Sequence, residues 1–383
     1  MLRTASIAVA FCAAALGGDA SLGSFVVTND DQAPPFVSTA TFYAVNPDGT
    51  PGGMTSVETG GSGIRGGFFA AARVIAMPNG ADACVYVSNA WDGDIAGIDA
   101  MTHALTGTFF GSAGDSGTTN GIGLAANAQY LYASYTTSTT IGTFQVQAGC
   151  TLSFVGDVFA AGLNSGTVDG MALCGNIMVV TYGDGSIESF DISGGVPVSN
   201  GDQQYSTGSG DDHLPNGVAI TRDGHYAIFG DASSTTTVEV SEISSGKLSP
   251  TTAYSLGPTW NSGNVRLSPD ETLLLVSNNS SGQVTAAFFD HTTGKVYPGC
   301  TSNTLRGFYT KFAYAGDIGL QLTTLAGGVV YVPEFGSGGK SYLGLLDFTP
   351  NGTTCTLAES ANSPVEGAVG SAVLSIAVYP AAP

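Results

Sequence analysis

The chain has 383 residues and a formal net charge of −20, with 30 Asp and Glu against 10 Lys and Arg. That balance excludes nucleic acid, whose phosphates need clustered Lys and Arg, and disfavours anionic membranes; cations, neutral sugars and small organic molecules remain as partners. Glycine, at 55 residues, suits many tight hairpins, and an apolar share of 43% suits a large buried core.

The first element reads as an export signal. Arg3 supplies the positive end, Ile7 to Leu16 (IAVAFCAAAL) forms the apolar run, and the small residues of GGDAS follow, placing cleavage near Gly17 to Ala20. The run is too short to span a bilayer. The expected organisation is a signal peptide over residues 1–20 and a single domain over 21–383, secreted and without membrane insertion. Association with a cell surface or cell wall stays open.

From Ser24, SFVVTND and TATFYAVNPDGT read as second and third strands with no first strand before them. A complete set begins near Ala72. A pattern then recurs: a glycine-marked apolar strand, a second strand ending in a polar turn, and a third. It reads NGIGLAANAQYLYASY from Asn120, DGMALCGNIMVVTYGDGSIESFDIS from Asp169, NGVAITRDGHYAIFGDASSTTTVEVSEI from Asn216 and GNVRLSPDETLLLVSNNSSGQVTAAFFD from Gly263. The opening positions Asn120, Asp169, Asn216 and Asn264 are 49, 47 and 48 residues apart. A further set opens near Asp317. After Gly370, SAVLSIAVYP reads as a first strand with nothing following, which completes the half-set at the N-terminus. Repeats of this length with several short strands each predict an all-β propeller of seven four-stranded antiparallel blades, closed by strands from both termini. Closure in this way removes the open edges that invite aggregation.

Cys12 leaves with the signal, so Cys84, Cys150, Cys174, Cys300 and Cys355 remain, and export permits disulfides. Cys150, Cys300 and Cys355 precede predicted fourth strands, and Cys84 and Cys174 fall in turns between first and second strands, all on one face. Pairs between adjacent blades are therefore expected, Cys150 with Cys174 and Cys300 with Cys355, leaving Cys84 free. Sequons stand at Asn278, Asn279 and Asn351.

LSPDETLLLVSNNSSGQVTAAFFDHTTGKV, from Leu267, resembles the YVTN-type repeat of the seven-bladed lactonase family, which includes phosphogluconolactonase-type propellers and carboxymuconate cyclase. The likeness extends over nearly the whole mature chain. It implies a propeller fold and a secreted lactonase-like or cyclase-like activity on a small lactone or muconate-type acid at the central channel mouth. The His-rich opening and the arginines after the second strand that such enzymes carry have no counterpart here: the openings read AAARV, TNGIG, VDGMA, PNGVA, GNVRL and GDIGL, and Asn279 follows VSN. PNGVAITRDGHYAIFGD and VDGMALCG are locally similar to gluconolactonase and regucalcin-like propellers, a likeness that implies a divalent cation held by Asn and Asp.

The opening residues Arg73, Asn120, Asp169, Asn216, Asn264 and Asp317 should meet at one mouth. Asn120, Asp169 and Asn216 are the candidate ligands of a divalent cation such as calcium, which takes oxygen donors; the plainer reading is that Asn and Asp make the turns between blades. His213, between the carboxylates of GDDH and Asn216, is the candidate proton carrier with Asp169, against the plainer reading of a solvated loop histidine. Arg73 and Arg266, with Asn264 and Asp317, are the candidate substrate contacts, since a carboxylated substrate needs a fork-shaped donor; with 30 acidic residues, an ion pair serves an arginine as well. Trp91, Trp260, Tyr309 and Tyr331 could stack on flat ligands or pack in the core. Two functions follow: the lactonase-like or cyclase-like enzyme, and a non-catalytic extracellular or cell-surface propeller that binds a ligand or protein through its loops.

Overall fold

The structure is a computed structural model, and it describes residues 24–65, 72–80, 82–112, 121–206, 214–232, 236–257, 262–278, 281–306, 319–324, 327–335, 341–351, 354–367 and 375–379. Residues 1–23, which hold the expected signal peptide, lie outside this set.

Seven antiparallel sheets form a ring. The first blade is built from both ends of the chain: Ser375–Tyr379 is its innermost strand, followed outward by Phe25–Asn29, Thr39–Val45 and Pro51–Glu58. The register sets Val26 opposite Val378 and Asn29 opposite Ser375, as the half-sets at the termini predict. Phe25 and Tyr379 stack with ring centroids 5.0 Å apart across this junction. The innermost strands of blades 2 to 7 are Val74–Asn79, Ile122–Ala126, Val168–Cys174, Pro215–Ile220, Ser262–Leu267 and Gly319–Thr324. In blades 4, 5 and 7 the outer position is shared by two short segments that both pair with the third strand.

The second strands explain why these sequences fold as blades. DACVYVSN (Asp82–Asn89) and LLLVSN (Leu273–Asn278) are rich in β-branched and long apolar residues and are buried almost throughout, because each blade lies between two others. The core divides accordingly into seven clusters, one per blade interface. Met77, Tyr86 and Ile95 meet Ile122, Leu131 and Phe144 between blades 2 and 3. Val26, Tyr43 and Ile376 meet Tyr331 and Leu343 between blades 7 and 1. The last interface is thus filled like the others and the ring has no weak seam. Tyr331, one of the aromatics considered for stacking, belongs to this core and donates its hydroxyl to Gly49 O at 2.6 Å.

One disulfide expectation is corrected. Cys300 pairs with Cys355, Cα–Cα 5.4 Å, as expected, but Cys150 pairs with Cys84, Cα–Cα 5.2 Å, rather than with Cys174. The reason is the lean of the blades. The turn Ala148–Cys150 before the outer strand of blade 3 reaches back onto blade 2, where Cys150 O accepts from Thr106 Oγ1 at 2.9 Å. Cys174 lies on the opposite flank of its blade, with its Sγ 3.8 Å from Arg222 O of blade 5. Of the sequons, Asn278 is fully buried and donates to Thr285 Oγ1 at 2.8 Å, which removes it as a glycan acceptor. Asn351 is exposed, and Asn279 is outside the described residues.

Candidate functional site at the channel mouth

Every innermost strand starts on the same face of the ring, and the loop after every second strand returns to it. The opening residues therefore meet there, and the contacts between consecutive innermost strands are very close. A Cβ on Gly170 would stand 2.2 Å from Asn216 O, and one on Gly217 would stand 2.8 Å from Asn264 Oδ1. Thr181 Oγ1 donates to the same Asn216 carbonyl at 2.5 Å. Asp169, Asn216 and Asn264 thus follow one another around the mouth on three neighbouring blades. Asn120, His213 and Asp317 lie outside the described residues.

Asp169 and Asn216 share an unusual condition. Both side chains are buried, at 4% and 5% exposure. Asn216 Nδ2 has no hydrogen-bond acceptor among the described residues. The Asp169 carboxyl receives no hydrogen bond from the described residues, and it is held well above the ordinary carboxylate range by burial and, secondarily, by the negative charge of Asp184. Gly183 keeps the approach to it open, because a side chain there would begin 3.3 Å from Asp169 Oδ2. Asp184 behaves in the opposite way. Burial opposes its ionisation, but the Ser186 hydroxyl and the N–H groups of Asn164, Ser186 and Gly166 together hold its pKa below the ordinary value. The mouth therefore carries one carboxyl whose ionisation its surroundings oppose beside one whose ionisation they favour, an arrangement that separates the roles of two acids.

The two arginines are placed differently from each other. Arg73 is 1% exposed, and its Nη1 lies 2.9 Å from Asp31 Oδ2. Its guanidinium lies so close over Gly121 that a Cβ there would be 2.8 Å from Nη2. Its backbone N–H donates to Ser375 Oγ at 2.9 Å, so it ties blades 1, 2 and 3 together at the mouth. Arg266 is exposed on the innermost strand of blade 6, four residues below the start of that strand.

Asp169 and Asn216 offer at most three side-chain oxygens, whereas calcium takes six to eight. Among the described residues no three His, Cys, Asp or Glu are arranged to hold a metal. The described part of the mouth does not make a cation site by itself.

Sequence reasoning missed a second ring. Every second strand carries a buried polar side chain at its mouth end, as the last residue in blades 1 to 6 and the next to last in blade 7: Asn29, Asn89, Tyr135, Tyr182, Asp231, Asn278 and Glu334. Asp231 Oδ1 accepts the Leu214 N–H at 3.0 Å beside the start of the innermost strand of blade 5. The signal was present in VTN, VSN, ASY, VTY, FGD, VSN and VPE, which occupy one position of the repeat.

No family model matches the sequence, and no curated protein matches it. Solved structures share the fold. A candidate 6-phosphogluconolactonase of Bacteroides fragilis superposes with a TM-score of 0.66 at 12% identity, over 94% of this chain and 99% of that one. A second, from Bacteroides uniformis, gives 0.63 at 11% identity over 93% and 99%. The periplasmic gluconolactonase PpgL of Pseudomonas aeruginosa gives 0.56 at 15% identity over 73% and 82%. At these identities the likeness carries the fold.

Proposed function

We propose that this propeller is a lactonase-type hydrolase of a small organic lactone, working at the mouth through Asp169 and Asn216. The observation that carries the reading is a pair of opening residues on neighbouring blades: the Asp169 carboxyl, which receives no hydrogen bond from the described residues, and Asn216 Nδ2, which finds no acceptor among them. Such groups are costly to leave unpaired, and a lactone carbonyl with a water would satisfy both. The lactonase names of several fold neighbours support the same class, and the disulfides Cys84–Cys150 and Cys300–Cys355 support an exported protein.

In this mechanism ionised Asp169 accepts a proton from water as the hydroxyl oxygen bonds to the lactone carbonyl carbon. The carbonyl electron pair moves to oxygen, and Asn216 Nδ2 donates to that oxyanion. When the oxyanion collapses, the ring C–O bond breaks, the alkoxide takes the proton back from Asp169, and the hydroxy acid leaves. A carboxyl with a raised pKa is a better base once ionised, so turnover should rise with pH through the Asp169 titration. His213 and Asp317 are proposed to line the same mouth, with Asn264 and Arg266 as substrate contacts. Arg73, being committed to Asp31, is assigned to holding the mouth in shape.

The test is turnover of a panel of γ- and δ-lactones. Asp169→Asn should lower kcat/KM by about 100-fold or more, and Asn216→Ala by about tenfold or more, with melting of both variants measured alongside. If no lactone is hydrolysed faster than in buffer, the enzymatic reading falls and a binding propeller replaces it. If calcium raises the wild-type melting temperature and Asp169→Asn removes that gain, the mouth holds a cation and the direct mechanism is wrong.

A further inference from the structure

The mouth face of blades 1 to 4 carries large apolar side chains that the proposed hydrolase does not use. Phe36 is 61% exposed, Trp91 50%, Phe110 58%, Phe159 71%, and Leu163 and Tyr205 46% each. They form an arc that can be followed contact by contact. Ser62 joins the first two, accepting the Trp91 N–H at 3.0 Å and donating to Phe36 O at 3.0 Å. Asp94, three residues after Trp91, stands opposite Phe110 in the strand register. Ser112 donates to Asp157, two residues before Phe159. Asn164, next to Leu163, donates to the Tyr205 hydroxyl at 2.7 Å. Isolated exposed apolar residues are ordinary; these six lie in sequence along one arc of one face.

Charge decides what binds there. Between Ser24 and Ser206, the stretch that makes blades 1 to 4, the sequence has 15 Asp and Glu, no Lys, and two Arg. Arg73 is buried against Asp31, which leaves Arg65 as the exposed cation. Carboxylates alternate with the apolar platforms: Asp92 follows Trp91, Asp157 precedes Phe159, and Asp184 accepts the Asn164 N–H at 2.5 Å. The platforms are separated by polar turns and do not merge into one continuous groove.

We propose that this arc binds a cationic glycan, a polymer of amino sugars with free ammonium groups. Each sugar offers an apolar C–H face to a platform and an ammonium group to the carboxylate beside it. Repetition of both features along the chain matches the alternation on the arc. At its blade 4 end, through Asp184, the arc reaches the surroundings of Asp169; Trp91 and Phe159 touch neither Asp169 nor Asn216, and binding along the arc does not depend on hydrolysis at the mouth.

Isothermal titration with a glucosamine hexamer, in mildly acidic buffer where its amino groups are protonated, tests the proposal. Binding is expected, weakened by added salt. Trp91→Ala and Phe159→Ala should each weaken it about tenfold, and Trp91→Phe should restore most of the loss. Both positions are exposed, so folding should survive, which circular dichroism checks, and lactone turnover should be unchanged. Absence of binding overturns the proposal. So does equal binding of the N-acetylated hexamer, which removes the role of charge. Equal binding of an oligolysine that is insensitive to Trp91→Ala also overturns it, because the arc would then attract charge without reading a sugar.

Discussion

Asp30 gives the sharpest test of how this fold treats its acids. It is fully buried at the mouth end of the first blade and accepts three hydroxyls: Thr39 at 2.5 Å, Thr41 at 2.6 Å and Thr28 at 2.9 Å. Burial outweighs these three bonds and pushes its pKa from 3.8 to about 6. The unfolded chain ionises first, so between these values the folded state binds more protons and stability falls as pH rises. At about 1.36 kcal/mol per pKa unit, the loss from this one group is about 3 kcal/mol, complete above its folded pKa. Asp30→Asn removes the titration. An amide makes the three hydroxyl contacts less well, at a cost of about 1 kcal/mol, so the variant should be slightly less stable than wild type near pH 4 and about 2 kcal/mol more stable near pH 7. Urea unfolding across this range measures both. The two stability curves should cross and should differ in total fall by about 3 kcal/mol. Parallel curves would show that Asp30 ionises as freely in the folded chain as in the unfolded one, and the burial argument would be wrong.

The disulfides and the strand contacts yield further tests. Cys84–Cys150 spans 66 residues and Cys300–Cys355 spans 55, so loop-closure entropy assigns each about 4 kcal/mol; Cys84→Ser with Cys150→Ser should lower stability by an amount of that order, and non-reduced peptide mapping should recover both pairs and no Cys150–Cys174 peptide. Gly170→Ala would place a methyl 2.2 Å from Asn216 O and 2.8 Å from Thr181 Oγ1; it should destabilise by about 1–3 kcal/mol and lower lactone turnover, whereas unchanged melting would mean that the innermost strands are looser than their contacts indicate.

The ring was legible in the sequence because it is written in spacing. Intervals of 49, 47 and 48 between opening residues and half-sets at the two ends yield blade number and closure without any knowledge of packing. What spacing cannot carry is the direction in which a blade leans. That lean decides whether Cys150 meets Cys84 or Cys174, and both were plausible neighbours in a ring. The mouth was legible as a set of positions but not as a set of states. Arg73 and Asp169 open comparable innermost strands, of blades 2 and 4, yet Arg73 meets Asp31 at 2.9 Å while Asp169 meets no donor among the described residues. Asp31 comes from the loop after a second strand, so the pairing joins elements that are remote in the chain. The polar ring at the second-strand ends was missed because VSN and VTN read as hairpin signals, and turn chemistry explains those letters without any need for burial.

The contrast between paired and unpaired polar groups is the argument for where function lies. Most of the mouth is internally satisfied. Asn89 donates to Asp94 at 2.6 Å, Tyr182 donates to Glu188 at 2.7 Å, and Asn278 donates to Thr285 at 2.8 Å. Other buried groups without partners include the hydroxyls of Tyr86 and Thr143, on strands packed between blades, and those of Ser206 and Ser281, in loops on the mouth face; a hydroxyl left unpaired costs less than a carboxyl. An amide and a carboxyl cost more, and the sequence could have replaced them with apolar residues of similar shape at no loss of packing. Gly170 and Gly183 add a second cost, since both surrender backbone entropy to keep this corner open. A scaffold that pairs most of its amides and carboxyls at the mouth, and leaves Asn216 Nδ2 without an acceptor and the Asp169 carboxyl without a donor among the described residues on two neighbouring blades, is tolerating instability at one point; that is the physical signature expected of a site whose missing partners arrive with a ligand.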